Sequence, residues 1–115
     1  MKVLQELLAL LKDMGIIYNN EGKGSNCIFY RFIPLLSDGI IGQSRFEITV
    51  CDEKQSDSLK KLDQIKSLLV TVGSEQKTDN TLTIALAGGG YFFDKDINSH
   101  CYKAIFSVSN KERMI

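Results

Sequence analysis

Residues 43–51, QSRFEITVC, alternate without a break: Phe46, Ile48 and Val50 point one way, Arg45, Glu47 and Thr49 the other. A period of two over that length describes a half-buried strand, apolar on one side and wet on the other. Such a strand has no stability alone, so the rest of the chain must supply neighbours and a cover for the apolar face.

Three other segments read as neighbours. CIFYRFI (27–33) is β-branched and aromatic with few polar members, as in a strand covered at least in part on both faces. Pro34 is expected to end it, and LLSDGIIG (35–42) to connect it to the alternating segment, holding two glycines and the apolar pair Ile40 and Ile41. Sequence proximity makes an antiparallel hairpin the simplest pairing. Arg31 then lies across from Glu47, as a cross-strand pair or, alternatively, as one half of a salt bridge between subunits. TLTIALA (81–87) and HCYKAIFSVS (100–109) complete the set, the latter with Tyr102, Ala104, Phe106 and Val108 on one face.

Two segments carry helical spacing instead. In residues 2–14, Val3, Leu4, Leu7, Leu8, Leu11 and Met14 form one stripe, and Gly15 is a natural stop. Glu6 interrupts the apolar run and no small-residue cleavage site follows, so this reads as a helix of the mature protein. In residues 52–73, Leu59, Leu62, Ile65, Leu68, Leu69 and Val72 form the second stripe, with Asp52 and Gln55, or Ser56, placed to cap its start and Gly73 its end. Residues 19–26 and 74–80 are loops by composition, and 110–115 a frayed tail. The expectation is a single domain over 1–115, of α+β class: a four-stranded, mainly antiparallel sheet with two helices in the order α-β-β-α-β-β.

At 115 residues the chain suits one domain. Its 14 acidic and 14 basic residues cancel, without the basic surplus of a nucleic-acid binder. No run approaches the ~18 apolar residues of a membrane span. Cys27, Cys51 and Cys101 form no close pair, and there is one histidine, which argues against a disulfide framework and against a zinc site. The cysteines read as small residues in or near the core. No metal or cofactor is expected.

Residues 85–96 read ALAGGGYFFDKD. A phosphate-gripping loop needs backbone N–H groups converging at a helix N-terminus, usually with a lysine and a hydroxyl. Here the glycines leave a strand and run into Tyr91, Phe92 and Phe93, with no Gly-Lys-Ser/Thr. The expected structure is a flexible arm over 88–99 between two strands, since glycine lets a strand bend or bulge. Its aromatic rings either fold back to cap the core or stay exposed as anchors for a partner. His100 next to Cys101 suggests a thiol–imidazole pair, but adjacent strand residues face opposite sides, and a strand-end histidine is the plainer reading.

The chain resembles the tail terminator proteins of long-tailed bacteriophages and prophages, a family also called tail completion, minor capsid or neck proteins. The resemblance lies in the layout over most of the chain: the short amphipathic helix LQELLALLKDMG, the aromatic strand CIFYRF, RFEITVCD leading into SLKKLDQIKSLL, the acidic and aromatic YFFDKD, and a histidine opening HCYKAIFSVS. The triple glycine has no place in that pattern. The resemblance implies a structural assembly protein and no enzyme. Such a protein forms a ring, commonly of six subunits, that caps the tail tube and joins it to the head connector. Its location would be the host cytoplasm before assembly and the virion after. It implies contacts through 34–42 and 88–99, with Ile40, Ile41, Tyr91, Phe92, Phe93 and Asp94 as candidates, to copies of itself, the tail tube protein and the connector. Two alternatives stand beside it: a single-stranded nucleic-acid-binding module, encouraged by CIFYRF, and a small enzyme using Cys51 or Cys101 with His100.

Overall fold

A computed structural model describes residues 2–15, 17–19, 26–37, 41–71 and 82–111. The elements run α1 (Lys2–Leu10), a 3-10 turn (Lys12–Met14), β1 (Ile17–Asn19), β2 (Cys27–Ser37), β3 (Ile41–Asp52), α2 (Gln55–Lys66), a π turn (Ser67–Thr71), β4 (Leu82–Asp94) and β5 (Ser99–Lys111). The strands form one sheet in the order β1-β2-β3-β5-β4.

This corrects the expected four-stranded, mainly antiparallel α-β-β-α-β-β sheet: it has five strands and is mixed. β1 pairs parallel to β2, with Ile17 opposite Ile28 and Asn19 opposite Tyr30. Three residues are too few to print a period of two, which is why the sequence reads past them. The other pairs are antiparallel. Pro34 does not end β2, which continues to Ser37. Among the described residues β1 pairs only with residues 28–30, and the β2–β3 ladder takes up the proline with a register shift between Pro34 and Ser37.

The alternation of β3 is realised as read. Phe46, Ile48 and Val50 are buried, opposite Phe32, Tyr30 and Ile28 on one side and Phe106, Ala104 and Tyr102 on the other. Both helices contribute to this core, through Leu7 and Leu11 at the first and Leu62, Ile65 and Leu69 at the second. Each such leucine gains roughly 1.5–3 kcal/mol on burial. Tyr30 and Phe32 both lean on Phe46, with ring centres 5.8 and 6.5 Å apart.

α2 starts at Gln55 after Lys54, without a side-chain cap. Asp52, expected as a cap, instead accepts the Lys54 N–H at 3.1 Å and pairs with Lys61 at 2.9 Å. Burial raises its carboxyl pKa, but the Lys61 hydrogen bond and charge and the backbone N–H more than offset this, leaving it below the usual range. Among the described residues no helix is long and apolar enough to cross a membrane.

Candidate functional site

The glycine run lies inside β4. Residues 88–94, expected to belong to an arm, are paired with β5 from Gly88 opposite Ile105 to Asp94 opposite Ser99. The connection shrinks to residues 95–98. Asp94 shapes it by accepting the Asp96 N–H at 3.0 Å, and Asn98 supplies a left-handed residue at φ 49°. Of the expected tail, Lys111 ends β5, and 112–115 lie outside the described residues.

The ladder shifts register between Leu86 and Gly88, so Ala87 is an extra residue, a β-bulge. The bulge changes which residues share a face. Before it, Leu82, Ile84 and Leu86 lie on the helix-bearing face; after it, Gly89, Tyr91 and Phe93 do, opposite Ala104, Tyr102 and His100. Gly89 has φ 156°, and a Cβ there would run into the Lys103 carbonyl oxygen. Cβ atoms at Gly88 and Gly90 would meet open space.

Because the run has no side chains, the sheet is left bare beside α2. A groove of about 340 Å³ opens between Leu59 and Leu62 of α2 and Leu86, Tyr91 and Tyr102 of the sheet. One wall is a connected aromatic cluster. The Tyr91 hydroxyl lies 2.6 Å from His100 Nδ1, and the Tyr91 ring is 5.1 Å from Tyr102 and 5.8 Å from His100. Phe93 meets His100 edge-on at 5.0 Å, and Gln55 Nε2 donates to the Tyr102 hydroxyl at 3.0 Å. Tyr91 and Phe93 are held in this cluster while Phe92 lies on the other face opposite Cys101, and none is covered: Tyr91, Phe92 and Phe93 remain 46%, 44% and 43% exposed.

β4 is also a sheet edge, thirteen residues long. From Leu82 to Phe93 it contains no charge and no proline. Edge strands are usually protected by such residues, because an unpaired row of N–H and C=O groups is a template for another strand. The apolar, uncharged stretch was visible in the sequence; that it forms an edge follows only from strand order.

Of the expected contact residues in the 34–42 connection, only Ile41 can be placed relative to this site. Ile40 lies outside the described residues. Ile41 opens β3 at the end of the sheet opposite Lys111, whereas Phe93 pairs with His100 near Asp52. Eleven residue steps of β3 separate the two ends, about 36 Å at the usual rise.

The helix-free face carries two features that sequence reasoning did not assemble. Cys27, Cys51 and Cys101 are direct register partners across β2, β3 and β5 and form a buried cluster with Phe29 and Ile97. The Cys51 and Cys101 sulfurs approach to 2.7 Å as free thiols. Burial pushes both thiols above their ordinary pKa. His100 faces the other side, against Tyr91 and Phe93, so neither cysteine is set beside the imidazole. The second feature is Glu47, opposite Arg31 as expected, with its ion pairs running to Arg45 at 2.7 Å and Lys103 at 2.9 Å. Burial raises its pKa, but the Lys103 hydrogen bond and the charges of Lys103, Arg45 and Arg31 outweigh that and hold it below the usual range.

The aromatics of CIFYRF are occupied in packing: Tyr30 in the main core, Phe32 against it and Phe29 on the cysteines. Base stacking needs rings with a free face. Fold and site therefore define a small α+β protein whose distinctive surface, among the described residues, is the β4 sheet edge with its aromatic end. No protein-family model matches the chain, and no curated protein does.

Proposed function

We propose that the protein is a structural assembly subunit that works by joining copies of itself and neighbouring proteins, as a phage tail terminator does when it rings the end of a tail tube and meets the head connector. The observation that carries this reading is the β4 edge: thirteen residues of strand with neither charge nor proline before Asp94, ending in three rings each more than two-fifths exposed. Aromatic side chains with low conformational freedom are the usual anchors of protein interfaces. The ring and the place at the tail end come from the sequence resemblance. A ring needs one surface of each subunit to meet a different surface of the next, and the edge, the groove and the aromatic end supply surfaces of contrasting shape.

The test leaves the fold intact. Deleting 88–93 would cut a paired strand, so Phe92→Thr/Phe93→Thr is the better variant, since threonine suits a strand and both rings are half exposed. The expected result is a folded subunit with unchanged circular dichroism that fails to complete tails in the phage that encodes it. Tails of normal length and normal head joining from that variant would refute the reading.

A further inference from the structure

We infer that in the free protein the β4 edge is covered by β4 of a second copy, running antiparallel about a twofold axis at the Ala87 bulge. The inference stands on the geometry of the strand and does not rest on the tail-terminator reading.

The position of exposed apolar residues points to this edge. Among the described residues, the large exposed apolar side chains are Tyr18, Leu35, Leu59, Val70, Leu86, Tyr91, Phe92 and Phe93. Of the rest, Leu86, Tyr91, Phe92 and Phe93 lie on β4, Leu59 faces Leu86 and Tyr91 across the groove, and Val70 is on the π turn that contacts β4. A patch of that kind marks an interaction surface.

The chemistry of the two sheet edges selects the occupant. At the far edge, β1 covers residues 28–30 of β2, and the uncovered stretch beyond carries Arg31 and Pro34. Proline donates no ladder hydrogen bond, and both residues are typical protection of an edge. β4 has neither device. The long, uncharged ladder that another β4 can meet on this chain is therefore β4 itself.

The bulge then fixes the register. In a regular strand, the residues of one face keep the same parity from end to end, and a slip by one residue turns every side chain to the wrong side. In β4 the parity changes at Ala87. Laid antiparallel with the bulge at the centre, two copies agree in face along the whole strand. Leu86 then lies opposite Gly89 of the second copy, Ile84 opposite Tyr91 and Leu82 opposite Phe93, all on the helix-bearing face. Ala85 lies opposite Gly90 and Thr83 opposite Phe92, on the helix-free face. A register one residue away sets Ile84 against Phe92, which faces the other side. The aliphatic half of each strand thus meets the aromatic half of the other, and the exposed rings gain cover beside Leu86.

A twofold contact does not close a ring. It covers the edge of the unassembled subunit, and contacts at an assembly site would replace it.

Sedimentation equilibrium at micromolar concentrations should return twice the chain mass. Leu86→Lys places a charge on the edge at a side chain already 47% exposed, so it should fold normally and sediment as a monomer. The register is read independently by Ala85→Cys/Gly90→Cys. With oxidised glutathione as oxidant, one cysteine of each facing pair attacks the glutathione disulfide, and the opposite thiolate then displaces it. The products are an intermolecular disulfide and two reduced glutathiones. Peptide mapping should find residue 85 joined to residue 90 between chains, several-fold more than 85 to 85 or 90 to 90 in either single variant. A wild type that is monomeric throughout, a dimer that survives Leu86→Lys, or a cross-link no better than in the single variants would overturn the pairing.

Discussion

Gly89 and its two neighbours look equivalent in the sequence, yet only Gly89 combines a positive φ with a backbone oxygen where a Cβ would stand. Gly89→Ala should therefore cost about 2–3 kcal/mol, from backbone strain and displacement of the Lys103 carbonyl. Gly88→Ala and Gly90→Ala should stay within about 0.5 kcal/mol of the parent in urea unfolding. Equal losses at all three would mean that the run is needed for flexibility and not for one close approach. Glu47 offers a test with a defined sign. Its folded pKa lies below the ordinary value, so its stabilising effect is complete above the unfolded pKa of ~4.3 and is lost as pH falls through the lowered folded value. Glu47→Gln should cost about 1 kcal/mol at neutral pH, a modest figure because Arg45 and Lys103 are more than a third exposed. As pH falls through that lowered folded value the variant and parent stabilities should converge. Cys51 and Cys101 test the enzyme alternative: buried, with pKa values raised first by desolvation, they should resist iodoacetamide at neutral pH until the chain unfolds. Rapid alkylation of Cys51 or Cys101 in the folded protein would restore that alternative.

β5 lies between β3 and β4, whereas β4 has a neighbour on one side only. Hydrogen exchange should accordingly find the slowest amides in β3 and β5, around Phe46 to Val50 and Ala104 to Val108, opening only with global unfolding. In β4 of a monomeric variant such as Leu86→Lys, slow and fast amides should alternate, as inward and outward N–H groups do at an edge. Uniform protection along Leu82–Phe93 in that variant would show the edge covered from within the same chain. The same elements show what a sequence reveals. The period of two in QSRFEITVC and the helical stripe through Leu62 and Ile65 are local, and the structure realises both. β1 escaped because three residues carry no period. Pro34 misled because its effect depends on whether an edge is paired, which is a matter of strand order. The glycine run reads as an arm because glycine lets a strand bend or bulge; here β5 pairs with it and a single bulge at Ala87 absorbs the irregularity. The aromatic residues were visible as candidates, but their cluster with His100 and Tyr102 depends on register across the hairpin. The cysteine row and the Glu47 cations are likewise assembled from three strands, and no local pattern announces them.

Taken whole, the described chain is elongated, 50 Å by 23 and 22 Å, because strands of twelve and thirteen residues set its long axis. An elongated single sheet with helices on one face leaves much of its edge in water, and in a small domain that surface is a liability unless a partner covers it. If a second copy covers it, folding and association are linked: a partner that binds only the native state stabilises it by mass action. The melting temperature of the wild type should then rise with protein concentration, since dimer dissociation belongs to the unfolding reaction. For Leu86→Lys it should be independent of concentration and equal to the wild type at high dilution. Scanning calorimetry over a hundredfold range of concentration distinguishes the cases. A wild-type melting temperature that stays constant over that range would show that the free subunit does not cover the edge with a second copy.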